Sequence, residues 1–176
     1  MNNDLVDVEA IISGICIDLK YSTRDNFVGT AVYDFKNCLL HKDAASNLVL
    51  VQNELKGMEL ELKVFDGYRP MRAQQLFWEI LPDPRYISDP KLGGRHTRGT
   101  AVDVTLIFSG TKKELAMPSA FDDFSEKSHR GYMGGSKEEI FNRKLLQDVM
   151  GRHGWVGLAT EWWHFDLVGW EGYPVI

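Results

Sequence analysis

The side chains best suited to hold a metal ion in this chain are split between two distant segments, His96-Thr-Arg-Gly-Thr-Ala-Val-Asp103 in the middle and Glu161-Trp-Trp-His164 near the C-terminus. A fold that uses them must bring the two segments side by side. Two neutral imidazoles and one carboxylate suit Zn²⁺ and leave its fourth tetrahedral position open to water, which marks a catalytic site rather than a closed structural one. His96, Asp103 and His164 are therefore the candidate ligands for one zinc ion per chain. Glu161 is the spare carboxylate and the candidate base for that water.

Several function classes are excluded by composition. With 176 residues, 44% of them hydrophobic, the chain has enough apolar material for one well-filled core and too little for two comfortable ones, so a single domain over residues 1–176 is expected. No repeat, low-complexity tract or Pro/Ser-rich linker divides it. A formal charge of −5 without a run of Lys or Arg argues against nucleic acid or an anionic membrane as partner and leaves small peptides compatible. Cys16 and Cys38 form no C-x-x-C pair and no dense framework, and both are expected to be reduced and structural. The start, Met1-Asn-Asn-Asp4 followed by Asp7 and Glu9, has the wrong sign for a signal peptide, and the apolar run Ile11–Ile17 is too short to span a bilayer. A cytoplasmic protein is expected.

Periodicity supplies the elements. Residues 41–56 read as a helix, with Ala44, Leu48, Val51 and Leu55 at helical spacing and Gly57 as its stop. Residues 59–65 alternate charge with Leu60, Leu62 and Val64, the pattern of a half-buried strand. Pro70 is placed to open a helix over 71–81, which sets Arg69 at a strand-to-helix junction. In the strand expected over 100–108, Val102, Val104, Leu106 and Phe108 point one way, and Asp103 points the other with Ala101 and Thr105. An acid within so apolar a strand is costly unless paired or metal-bound. Ser136 and Glu139 form a capping box for a helix running to about Met150, ended by Gly151 or Gly154. Residues 162–167 are the last strand, with a short tail from Val168. The sum is an α+β fold, helices packed on a small, mainly antiparallel sheet.

Strand geometry adds one constraint. Residues three apart in a regular strand face opposite sides of the sheet, so Glu161 and His164 cannot both reach a metal from ideal strand positions. Glu161 should lie in a loop or bulge, and Gly157–Thr160 offers that irregularity.

The segment from Gly94 through Leu106, together with Glu161-Trp-Trp-His-Phe165, resembles the VanX-type D-alanyl-D-alanine dipeptidases, zinc peptidases related to D,D-carboxypeptidases and to the hedgehog fold. Asp18-Leu-Lys-Tyr-Ser-Thr-Arg-Asp-Asn-Phe27, Asp66-Gly-Tyr-Arg-Pro70, and Met117–Phe124 with Ser128-His129 are similar as well, so the likeness runs over nearly the whole chain. It implies zinc-dependent hydrolysis of D-alanyl-D-alanine or a close D,D-dipeptide, with Glu161 as general base. A fixed cation near the developing oxyanion favours the transition state over the ground state, and Arg69 is the candidate. Lys would replace it poorly, since only guanidinium offers a planar fork of donors. By the same resemblance, Tyr21 and Asp122 receive the substrate ammonium, with Asp123 the adjacent alternative.

The chain departs from the family at two positions. A serine that commonly stands two residues before the first histidine, and contacts substrate, is Gly94 here, and Thr97 follows the histidine instead of serine. A neighbouring backbone N–H or Arg95 is left to substitute. Of the other histidines, His129 is a candidate support for the site, while His41 and His153 are expected at the surface. Trp155, Trp162, Trp163, Phe165 and Trp170 are expected to pack around the last strand rather than form a ligand platform. Two competing functions remain: a D,D-carboxypeptidase or endopeptidase acting on longer peptidoglycan peptides, and a non-catalytic zinc module. The second needs neither Glu161 nor Arg69.

Overall fold

A computed structural model describes residues 4–176. The Met1–Asn3 part of the acidic start lies outside the described residues. In chain order the elements are β1 (Leu5–Asp7), α1 (Val8–Ile11), β2 (Cys16–Ile17), β3 (Leu39–His41), α2 (Lys42–Lys56), β4 (Leu60–Asp66), α3 (Met71–Ile80), β5 (Ala101–Phe108), α4 (Lys137–Arg152), β6 (Trp155–Gly157) and β7 (His164–Leu167). A five-stranded sheet runs β2-β4-β5-β7-β6, and β1 pairs with β3 in a separate two-stranded ribbon. Only β2 and β4 are parallel; the other pairings are antiparallel, as expected for this α+β class.

The helices form where the apolar spacing places them. α2 buries Ala44, Ala45, Leu48, Val51 and Leu55, and α4 buries Leu146, Val149 and Met150. These stripes join Leu62, Val102, Val104, Leu106 and Phe165 of the sheet in one core. α4 opens on the capping box, with Ser136 accepting from Glu139 N and Glu139 accepting from Ser136 N. α3 packs into a second, aromatic cluster through Ala73 and Phe77, beside Tyr21 and Tyr33.

Four expectations are corrected. β4 is buried along nearly its whole length rather than on one face, because it is an inner strand whose polar residues find partners: Lys63 lies 2.9 Å from both Asp18 and Glu114, and Glu61 pairs with Lys112. Phe108 does not join the core face of β5 but is exposed at the strand's end. Of the two stops offered for α4 the structure uses the second: the helix passes through Gly151 to Arg152, and Gly154, at φ 81°, turns the chain. His41 is buried and caps α2, its Nδ1 accepting from Asp43 N at 3.2 Å. The segment after Val168 folds back on the domain, where Ile176 N donates to Thr97 O at 3.0 Å and Tyr173 Oη donates to Asp43 at 2.9 Å.

The short strands β1, β2, β3 and β6 were not anticipated, since two or three residues carry no readable period. Cys16 and Cys38 are both free thiols. No helix among the described residues is long and apolar enough to cross a membrane.

Candidate active site and metal centre

Strand register brings two of the three candidate ligands together. Asp103 stands directly opposite His164 across the β5–β7 pair and opposite Asp66 across the β4–β5 pair, so the three side chains form a row over adjacent strands. Directly opposed residues share a face and approach closely. His96 arrives from the 3-10 turn His96–Arg98 that precedes β5. All three ligand candidates are buried. His96 Nε2 is 3.1 Å from His164 Nδ1 and 3.4 Å from Asp103 Oδ1, and His164 Nδ1 is 3.0 Å from Asp103 Oδ1.

These spacings fit one zinc ion. Tetrahedral N and O ligands at about 2.0–2.1 Å from the metal stand about 3.3–3.4 Å apart. The remaining ring nitrogens are committed elsewhere: His96 Nδ1 is 2.7 Å from Gly67 O, and His164 Nε2 is 2.8 Å from Asp166 Oδ1. Such outer partners fix the tautomer, turning His96 Nε2 and His164 Nδ1 toward the ion. Burial opposes charge on Asp103, yet the two imidazoles hold its carboxyl well below the usual range. Burial likewise opposes charge on His164, but Asp166 and Asp103 push it up to about 10. A setting that attracts a proton so strongly also attracts a divalent cation.

Glu161 lies in the irregular stretch between β6 and β7, where sheet geometry required it. Its Oε2 is 3.8 Å from His164 Nδ1. Burial pushes its carboxyl up to about 8, against the pull of His164. The loop is clamped by Arg130, which donates from Nε to Leu158 O at 2.8 Å and from Nη2 to His164 O at 2.6 Å, on either side of Glu161. Gly157 leaves room for this clamp, since a Cβ there would run into the Arg130 guanidinium.

Arg69 is buried, not a surface cation. It donates to Asp66 Oδ2 from Nε at 3.2 Å and from Nη2 at 2.9 Å, and from Nη1 to Gln74 Oε1 at 3.1 Å. Tyr33 donates to the other Asp66 oxygen at 2.8 Å. The guanidinium lies over the rings of Phe77 and Tyr21 at 4.7 and 5.4 Å, and its Nη2 is 4.0 Å from Asp103 Oδ2. Charge, fork and aromatic floor fix it beside the metal ligands.

Tyr21 and Asp122 meet in the same cleft. The Tyr21 hydroxyl donates to Asp122 Oδ1 at 2.9 Å, and Phe27 N donates to Oδ2 at 3.4 Å. Burial pushes the Asp122 carboxyl up to about 7, opposed by the Tyr21 bond. Asp122 also sits at φ 60°, a left-handed conformation uncommon outside glycine. Asp123 is spent locally, accepting from Ser125 N at 3.0 Å.

The other expectations sort cleanly. His129 Nε2 is 3.1 Å from the hydroxyl of Tyr86, a residue of the cleft wall, whereas His153 pairs with Glu54 at 2.7 Å and neither of these two lines the cleft. Trp155, Trp162, Trp163 and Phe165 are core residues, but Trp170 lies under Arg95 and Arg98. Sequence reasoning missed Asp66, Gln74, Asp166 and Arg130 as site residues. Asp66 and Asp166 had a readable signal, each being an acid within a strand, where burial has to be compensated.

The family model described as Peptidase_M15, D-ala-D-ala dipeptidase, matches residues 1–174. The D-alanyl-D-alanine dipeptidase of Escherichia coli K12 is 39% identical over 173 residues, 98% of this chain and 89% of the relative. That of Enterococcus faecalis V583 is 29% identical over 194 residues, 99% of this chain and 96% of the relative. Among solved structures, the LdcB LD-carboxypeptidase superposes with a TM-score of 0.54 at 17% identity, over 94% of this chain and 68% of that one. VanYB in complex with D-Alanine-D-Alanine superposes with a TM-score of 0.50 at 16% identity, over 81% and 82%. Both share the fold.

Proposed function

Because the chain belongs to the Peptidase_M15 D-Ala-D-Ala dipeptidase family, we propose a division of labour in its cleft in which His96, Asp103 and His164 hold the metal, Glu161 moves the proton, Arg69 stabilises the oxyanion, and Tyr21 and Asp122 receive the substrate ammonium. The protein is a zinc metallopeptidase that hydrolyses D-alanyl-D-alanine. Bound by the three ligands, zinc supplies Lewis-acid polarisation of the scissile carbonyl and an acidified water at an open position.

Glu161 accepts the proton of the attacking water and returns it to the leaving amine. Burial raises the Glu161 carboxyl above the usual carboxylate range, which makes it a better proton acceptor for that task. Arg69 faces the former carbonyl oxygen as it becomes negative; its anchorage by Asp66 and Gln74 means no reorganisation accompanies the reaction. Asp122 supplies the counter-charge for the free amine of a dipeptide, and a peptide extended at that end has no amine to offer. The free thiols of Cys16 and Cys38 support a reducing, cytoplasmic setting.

The observation that carries this reading is the buried Glu161 carboxylate 3.8 Å from His164 Nδ1, which metal binding alone does not need. Its test is alanine release from D-Ala-D-Ala by zinc-loaded protein, beside L-Ala-L-Ala, an N-acetylated D,D-dipeptide and a Glu161→Ala control. Turnover of free D-Ala-D-Ala alone, abolished in the control with zinc retained, is expected. Cleavage of only the blocked substrate would reassign the chain to the carboxypeptidases. No turnover with zinc bound would favour a non-catalytic module.

A further inference from the structure

A free dipeptide carries a carboxylate as well as an amine, and burying it in a cleft requires a cation or several donors. Besides the histidine ligands, the described cleft wall holds two cations, Arg69 and Arg95. Arg69 has all three guanidinium nitrogens bonded to Asp66 and Gln74. Gly94 brings no side chain, and a Cβ there would stand 3.3 Å from Gln74 Oε1, against the amide that fixes Arg69.

Arg95 is differently placed. Its Nε lies 3.1 Å from Asp166 Oδ2, an ion-pair distance off the line of a hydrogen bond, and its guanidinium lies 5.2 Å from the Trp170 ring centre. The other Asp166 oxygen meets His164 Nε2 at 2.8 Å, so a single carboxylate ties Arg95 to a metal ligand. The side chain is 29% exposed and held at its neck. Arg95 and Ser88 also wall a neighbouring cavity with Asp89, Arg98 and Trp170, while Asp122 walls a different one with Lys20 and Trp162. These two flanking cavities share no residue, so Arg95 and Asp122 mark different sides of the cleft.

We propose that Arg95 binds the C-terminal carboxylate of the dipeptide and makes the enzyme selective for substrates with a free acid at that end. The inference rests on the dipeptidase reading above. Asp166 then serves two groups with one carboxylate, fixing the carboxylate-binding cation relative to the metal ligand His164.

The test compares D-Ala-D-Ala with D-Ala-D-alaninamide, which lacks the carboxylate, using zinc-loaded full-length protein with Arg95→Met and Arg95→Lys. Wild type is expected to favour the free acid. Arg95→Met should raise KM for the free acid by about 10- to 100-fold, the range for a lost charge-assisted hydrogen bond, with kcat and the amide's KM little changed. Arg95→Lys should recover part of the loss, and zinc content should be unaltered. Calorimetric affinity of zinc-loaded Glu161→Ala protein for D-Ala-D-Ala should fall by a similar factor when Arg95→Met is added. Equal losses on acid and amide, loss of zinc, or unchanged affinity would each overturn the proposal. If wild type cleaves neither compound, the dipeptidase reading falls, and the calorimetric comparison still decides whether Arg95 binds the carboxylate.

Discussion

The Tyr21 hydroxyl donates to Asp122 Oδ1 at 2.9 Å, joining a 3-10 turn near the N-terminus to a loop residue held at φ 60°. The tyrosine sits in an aromatic cage, 4.6 Å from Phe77 and 5.8 Å from Tyr33 between ring centres. A half-buried acid in left-handed backbone, held by a phenol and by Phe27 N, has to be maintained by its surroundings.

Its titration yields the first prediction. Burial raises the Asp122 carboxyl to about 7, so in the proposed role its charge opposite the substrate amine should be lost as pH falls through 7. KM for D-Ala-D-Ala should rise below that pH, and Asp122→Asn should show a high KM nearly independent of pH over about one unit either side of neutrality. Stability moves in a defined direction as well. A folded value above the unfolded one means that stability present below the unfolded value of 3.8 is lost as pH rises toward 7. Asn, which tolerates left-handed backbone, should therefore raise the melting temperature at pH 8 relative to wild type and do so less at pH 5. A parallel shift at both pH values would contradict this.

Glu161→Gln keeps the shape of the side chain and removes the base. The expected loss in kcat is about 10²- to 10⁴-fold, the usual contribution of a positioned general base. Metal analysis should find unchanged zinc, because the three atoms proposed to hold it belong to His96, Asp103 and His164. Loss of zinc along with activity would make Glu161 a ligand instead.

Asp166→Ala leaves all three ligands in place but frees His164 Nε2 and the neck of Arg95. Outer partners of metal-bound histidines typically contribute about 10- to 100-fold in affinity, and a competition titration with a chromophoric chelator should find a loss of that size. Chelation of wild type should lower its melting temperature, restored on adding zinc, since binding to the native state alone stabilises it.

Gly157→Ala tests the Arg130 clamp without touching the arginine. The new methyl group would displace the guanidinium from the Leu158 and His164 carbonyls. Overpacking of this kind costs roughly 1–3 kcal/mol, read from a denaturant midpoint. Because the clamp brackets Glu161, kcat should fall more than KM rises, and Arg130→Met should reproduce that split with zinc retained.

The chain's own order of residues determined the elements with strong local signals. The apolar spacing of Leu48, Val51 and Leu55 and the Ser136–Glu139 box act within a few residues of the backbone they organise, so they read correctly without a fold. The donor types at His96, Asp103, His164 and Glu161 were legible too, because their chemistry restricts what they are for. Even the loop position of Glu161 followed from strand parity alone.

Tertiary structure decided the rest. That Asp103 faces both Asp66 and His164 depends on the register of three strands, and a slip of one residue would turn those side chains to the other face. His41 looked like a surface residue until α2 needed a cap and Tyr173 folded back against it, 4.6 Å between ring centres. Asp166, Gln74 and Arg130 carry no motif; Asp166 and Gln74 bond His164 and Arg69 a few residues away and Arg130 bonds the remote His164 carbonyl, but which of these groups face the cleft is set by the fold. Residue type sets what a group can do chemically over a few ångströms, whereas which groups come within those few ångströms is fixed only when the strands pair and the core closes.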